Sequence, residues 1–150
     1  MESVTITNNL KEGIGTYIQQ SKIDDSLKLN GEKYEELWDM HPEEKPKIKI
    51  FGKEIATPRW FQQYGHNYRF SGNKDSSLDV PAILKPYLDY INNLEPYHNY
   101  NGILVNWYEN GDHYIGKHSD NEKSLIKNAP IYCFSFGSDR RFIVESKSNK

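Results

Sequence analysis

Cysteine is all but missing from this chain. Cys133 is the only one, so no internal disulfide can staple the fold, and stability has to come from burial. The sequence has no apolar run of membrane length and no charge-flanked apolar segment of the signal-peptide kind. Neither a membrane-spanning helix nor a secretory leader is expected. The protein is therefore expected to be soluble and intracellular. An excess of one charge is also lacking: 19 Lys and Arg against 21 Asp and Glu leave a net charge of -2. That excludes a global attraction to nucleic acid, so such a partner would have to be held by a local basic patch. Internal repeats and low-complexity linkers are missing as well. A chain of 150 residues is long enough for one domain with a real core and too short for two comfortable ones, so residues 1-150 are expected to form a single domain.

What the chain does have is aromatic surface. Eleven Tyr, six Phe and three Trp supply large apolar faces with polar handles, which argues against disorder although 27% of residues are charged and only 36% hydrophobic. The stretch NGEKYEELWDMHP reads as a short helix with Asn30 as N-cap, Tyr34, Leu37, Trp38 and His41 on one face, and Pro42 as its stop. Alternation from Lys47 to Ile50 predicts a strand with Lys47 and Lys49 on one side and Ile48 and Ile50 on the other. With Lys45 and Lys53 close by, this makes a cationic rim, although a charge run is usually a solvated face. TPRWFQQYGHNYRFSG suggests two short extended pieces around a turn at Gly65. KPYLDYINNL begins a helix at Pro86, with Leu88, Ile91 and Leu94 pointing inward.

From Gly102 the pattern turns to β. GILVNWY, HYIGKHSD, IYCFSFG and RRFIVES are strand candidates separated by turn signals such as ENGD and GSD. The fold class this implies is α+β, mainly β: a sandwich or barrel with the N-terminal helices packed on one side. Residues two apart in an extended segment face the same way, so His118 and Asp120 can converge on one cation, and Asn106 and Tyr108 on one ligand. An imidazole plus a carboxylate is two thirds of the two-His, one-carboxylate triad that binds Fe(II). Taken alone the motif is weak, and an exposed polar turn would account for it equally well.

The run NGILVNWYENGDHYIGKHSDNEKSLIKNAPIYCFSFGSDRRFIVE resembles the AlkB-like family of iron(II)- and 2-oxoglutarate-dependent dioxygenases, and is most similar to its DNA-repair members. The similarity takes in N-x-Y, the glycine turn before H-x-D, the glutamate two residues after that aspartate, and the SFG strand with the arginine and phenylalanine that follow. Upstream, FGKEIATPRWFQQYGHNYRFSG is similar to the family's substrate-recognition segment. The resemblance thus runs from about Ile50 to Glu145, and the first thirty residues carry no such signal. It implies a double-stranded β-helix, or jelly roll, with residues 1-100 supplying N-terminal helices and the nucleotide-recognition segment and 101-150 the first barrel strands.

Carried over position by position, the resemblance implies that His118 and Asp120 are the iron ligands and catalytic centre, and that Asn106 and Tyr108 hydrogen-bond 2-oxoglutarate. Tyr68, Phe70 and Ser71 match the wall of a base pocket, where a flat ring can stack on a flipped base. Glu122 corresponds to the acidic residue near the target base. Phe51 matches an apolar finger that fills the gap left by an extruded base, and Arg59 a positioning arginine. Plainer readings stand beside these: ordinary strand residues for Asn106 and Tyr108, a core aromatic for Tyr68, a solvated glutamate for Glu122, a buried strand-end Phe51 and a structural Arg59. The activity implied is oxidative demethylation of bases such as 1-methyladenine and 3-methylcytosine in DNA or RNA, with Fe(II), 2-oxoglutarate and O2 as reactants and formaldehyde, succinate and CO2 released. An incomplete, inactive nucleic-acid-binding module and an oxygenase acting on RNA or protein are the alternatives.

One part of the pattern is missing. Family members place the third ligand, a histidine, and the arginines that clamp the far carboxylate of 2-oxoglutarate on later strands. Residues 123-150 contain no histidine. His113, five residues before His118, is turned to the opposite strand face, and the family gives His41, His66 and His98 no such role. The expectation is a chain with only about half of the barrel strands, inactive alone and needing a missing C-terminal segment to complete its site.

Overall fold

The computed structural model describes residues 3-6, 18-50, 52-66, 69-70, 73-74, 77-120, 125-127 and 129-145. The chain divides into two compact units, one formed by Met1–Lys28 with Phe134–Lys150 and the other by Leu29–Cys133. In the first, β1 (Ser3–Ile6) pairs antiparallel with β2 (Ile18–Ser21). A single 3-10 turn at Asp25–Leu27 follows, capped by the Asp24 carboxylate, which accepts from the Ser26 N–H at 2.9 Å. All the other elements lie in the second unit.

That unit opens with α1 (Gly31–Asp39), and Asn30 caps it as its sequence suggests, its side-chain oxygen accepting from the Lys33 N–H at 2.8 Å. Strand β3 (Lys47–Ile50) folds back antiparallel on β4 (Lys53–Ala56) through Gly52, whose φ of 80° suits a tight turn. Lys47 and Lys49 are exposed and Ile48 half-buried, as alternation requires. Next come β5 (Trp60–Gly65), β6 (Arg69–Phe70), β7 (Asn73–Lys74), α2 (Lys85–Leu94) and β8 (Gly102–Trp107). The framework of the site is the antiparallel pair β5–β8, in which Trp60 faces Trp107 and Phe61 faces Asn106. Around it Leu37, Phe61, Tyr64, Leu84, Tyr87, Ile91 and Trp107 are buried, and the Trp107 indole Nε1 donates to the Leu37 carbonyl at 2.8 Å, tying β8 to α1. Among the described residues no helix is long and apolar enough to cross a membrane.

Gly65 ends β5 with φ 82°, its N–H donating to the Leu78 carbonyl at 2.7 Å. A Cβ there would fall on the Asn101 carbonyl, which already accepts from the His66 N–H at 2.9 Å. Gly65→Ala is expected to cost about 2 kcal/mol from backbone strain and crowding combined, read as a shift in the urea midpoint. A change below about 0.5 kcal/mol would contradict this account of the turn.

Two sequence expectations are corrected here. Helix α2 does start with Pro86 in its first turn, but its inward face is Tyr87 and Ile91, while Leu88 is half-buried and Leu94 is 55% exposed. Leu94 shares a face with Tyr87 and Ile91 but is the last residue of the helix, and there that face is exposed. Of the four strand candidates after residue 101, only GILVNWY pairs as a strand. Residues 113-120, 131-137 and 141-145 form no ladder. A strand exists where a neighbouring backbone completes its hydrogen bonds, and β-rich composition reports the side chains without reporting a partner.

Candidate active site

Asn106 lies near the C-terminal end of β8 and Tyr108 just beyond it, both half-buried. Arg59 directly precedes β5, and continuing the β5–β8 register sets it opposite Tyr108 and diagonal to Asn106 on one face of the pair. Its backbone is held by Thr57, 2% exposed, whose hydroxyl sits between the carbonyls of Arg59 at 2.7 Å and Pro46 at 3.0 Å. The Arg59 side chain is itself buried, with its guanidinium carbon 5.2 Å from the centre of the Phe61 ring. From there Nε donates to Asn106 Oδ1 at 2.6 Å, a short charge-assisted bond. Desolvation draws the Arg59 pKa below that of a free guanidinium, and the electrostatic influence of Tyr108 opposes that shift. A guanidinium stays charged in either setting.

Farther along, the His118 and Asp120 side chains meet, with Nε2 and Oδ1 3.3 Å apart. His118 Nδ1 lies 2.7 Å from the Gly116 carbonyl. A carbonyl can only accept, so Nδ1 carries a proton, and Nε2, which bears a lone pair in the neutral ring and a proton in the charged one, faces Asp120. Two lone-pair atoms at that distance repel unless a cation or a second proton lies between them. Two donors at a right angle, each about 2.1 Å from a first-row metal, stand about 3 Å apart. A metal-binding histidine also characteristically donates its other N–H to a carbonyl. The pair therefore fits two neighbouring positions of an iron(II) site. Among the described residues no third His, Cys, Asp or Glu completes a metal-binding group. His118 and Asp120 are 38% and 41% exposed, so this donor pair is open to solvent.

The remaining sequence candidates divide by where they fall. Phe70 is in β6, opposite Asn73. Phe51, Tyr68, Ser71 and Glu122 lie outside the described residues. Lys45, expected on the cationic rim, turns inward instead: its Nζ lies 2.8 Å from His113 Nε2 and 4.9 Å from the Trp60 ring centre. Trp60 stacks on His41 with centroids 4.4 Å apart. His113 is 5% exposed and accepts the Glu109 N–H on Nδ1 at 3.1 Å, so it braces the loop that follows Tyr108. This cluster was not legible in the sequence, because nothing in local spacing signals that Lys45 and His113 meet.

The chain matches the model of the 2OG-Fe(II) oxygenase superfamily over residues 14-150. It is 31% identical over 107 residues to the DNA oxidative demethylase ALKBH2 of Homo sapiens, an alignment covering 69% of this chain and 41% of that protein. The protein of the same name from Mus musculus is 33% identical over 107 residues, with coverage of 69% and 44%. The one from Arabidopsis thaliana is 31% identical over 116 residues, with coverage of 73% and 37%. The aligned part of the chain spans about two fifths of the length of these curated relatives.

Proposed function

We propose, for this chain, which belongs to the 2OG-Fe(II) oxygenase superfamily, the oxidative removal of N-alkyl groups from nucleic-acid bases, with DNA as the partner and 1-methyladenine and 3-methylcytosine as lesions. The family works with iron(II) and 2-oxoglutarate and has a jelly-roll fold. Relatives named as DNA oxidative demethylases support the choice of DNA. The observation that carries the reading is the convergence of His118 and Asp120, with Nδ1 of His118 tied to the Gly116 carbonyl and Nε2 turned toward the carboxylate.

In this reading His118 Nε2 and an Asp120 carboxylate oxygen hold iron(II), while the Asn106 amide and the Tyr108 hydroxyl orient 2-oxoglutarate. Bound iron(II), with 2-oxoglutarate and O2, would supply the oxidation of an N-methyl carbon coupled to decarboxylation of 2-oxoglutarate to succinate and CO2, the oxidised carbon then leaving as formaldehyde. The chain's own task is to place that carbon and hold the charges. Tyr68, Phe70 and Ser71 wall the pocket for the extruded base, and Glu122 stands near its polar edge. Phe51 replaces the lost stacking, and the exposed Lys47 and Lys49 attract the phosphates. Residues 1-150 belong to one oxygenase domain with 101-150 opening the barrel, and the role of third ligand is assigned to none of them.

A second reading, an incomplete nucleic-acid-binding module, is favoured by the open donor pair and the lack of a third donor among the described residues. Succinate and formaldehyde should be followed with methylated duplex DNA, methylated RNA and a methylated peptide, for the chain alone and with a polypeptide supplying a third donor. The expected result is little turnover alone and restored succinate formation with the added segment, with formaldehyde coming chiefly from DNA. Restored succinate that ignores methylated DNA would defeat the substrate assignment. Tight binding of methylated DNA with no turnover in either mixture would favour the second reading.

A further inference from the structure

An asparagine amide is two-sided, with an acceptor at Oδ1 and two donors at Nδ2, and nothing in its shape decides which side meets a ligand. At Asn106 the neighbours do decide. Arg59 is 5% exposed and its Nε–H points at Oδ1 from 2.6 Å. A guanidinium has only donors, so turning the amide over would set Nδ2–H against Nε–H, donor against donor, beside a buried cation. The guanidinium cannot easily move away to relieve that clash. Phe61 lies against it at 5.2 Å, and the residue's own carbonyl is held by the hydroxyl of Thr57.

We propose that Arg59 is a positioning residue that fixes the polarity of Asn106, leaving Nδ2 as a donor-only face that recognises the carboxylate of 2-oxoglutarate. This rests on the oxygenase reading and deepens it. A half-buried amide locked this way favours a ligand oxygen that bears charge and disfavours any group that must donate. The position of Arg59 opposite Tyr108 extends the argument, since the cation lies beside both side chains assigned to 2-oxoglutarate. Arg59 thus serves the co-substrate through Asn106, a different role from contact with the nucleic acid. The arrangement comes from pairing, because Phe61 lies directly across from Asn106 and Arg59 is the next residue on the same face.

The test uses the 150-residue chain in three forms: wild type, Arg59→Gln and Arg59→Lys. Side-chain amide resonances of labelled asparagine are recorded without ligand, and 2-oxoglutarate is then titrated with Mn(II) present, a metal that binds without turnover. Circular dichroism checks that each form is folded. Wild type should show a slowly exchanging Arg59 Nε–H with cross-peaks to the Asn106 amide. Arg59→Gln should move the Asn106 resonances and weaken 2-oxoglutarate binding about tenfold, the consequence of losing one charge-assisted bond. Arg59→Lys keeps the charge without the planar fork, should recover part of the affinity, and provides the measurement if the glutamine variant does not fold. Unmoved Asn106 resonances, or affinity within about twofold of wild type in a folded glutamine variant, would overturn the proposal while leaving the oxygenase reading intact. Wild type that takes up no 2-oxoglutarate, either alone or with the added polypeptide that supplies the third donor, defeats the oxygenase reading, and the proposal with it.

Discussion

Replacing His118 with alanine is expected to lower affinity for Mn(II) or Fe(II) at least about a hundredfold while barely changing the stability of the metal-free chain. The two halves of this result have separate causes. With Nδ1 bonded to the Gly116 carbonyl, His118 offers a single lone pair, and that lone pair faces Asp120. Removing it leaves one carboxylate, which in water holds a divalent cation poorly. Even outer partners of metal ligands commonly contribute 10–100-fold in affinity, so loss of a direct donor should cost at least as much. Stability should change by no more than about 0.5 kcal/mol, because the His118 side chain is 38% exposed and its contacts with Gly116 and Asp120 stay within the 116-120 segment. Asp120→Ala should behave in the same way. Metal titration followed by electron paramagnetic resonance, with thermal unfolding of the metal-free protein, measures both. Affinity within threefold of wild type would remove these residues from the metal site and take the oxygenase mechanism with them.

Trp107→Ala carries the largest expected effect on stability. Trp107 is 4% exposed, sits opposite Trp60 in the β5–β8 pair, and donates to the Leu37 carbonyl of α1. Emptying such a site costs about 3–5 kcal/mol through lost burial and the cavity left behind. The orphaned carbonyl adds to that cost. Small domains hold only about 5–15 kcal/mol in total, so the variant should be close to unfolding at room temperature. Trp107→Phe separates the two contributions: it keeps most of the apolar surface and loses the hydrogen bond, so it should cost about 1–3 kcal/mol. Because Trp107 lies between Asn106 and Tyr108, the alanine variant should also lose 2-oxoglutarate binding, while the phenylalanine variant retains it. Urea unfolding of both decides the matter. A cost below about 1 kcal/mol for Trp107→Ala would mean that β8 is not anchored on α1 through this ring.

Local signals were read directly where one residue type answers one local need. Asn30 caps α1 because its side chain can reach the Lys33 N–H. Gly65 turns the chain where φ is positive, and the alternation of lysine and isoleucine made β3 legible. The H-x-D spacing placed an imidazole and a carboxylate on one side of an extended segment, and the two side chains do meet. All of these are interactions within a few residues, set by backbone periodicity and side-chain reach.

The inward turn of Lys45 toward His113, the exposure of Leu94, the lack of a strand ladder at residues 131-137 and the grip of Arg59 on Asn106 were settled at another level. Each depends on which distant segment comes alongside, and composition and spacing say nothing about that. Arg59 shows the difference best. A lone arginine before a strand can serve as a phosphate contact, a surface charge or a buried support. The β5–β8 register, by laying Phe61 against Asn106, is what brings this buried arginine beside that amide. Residue order by itself determined which chemical groups this protein carries and which close neighbours share a face. Pairing across long sequence separation decided what those groups touch, because burial and hydrogen bonding are satisfied between segments whose meeting no local pattern encodes.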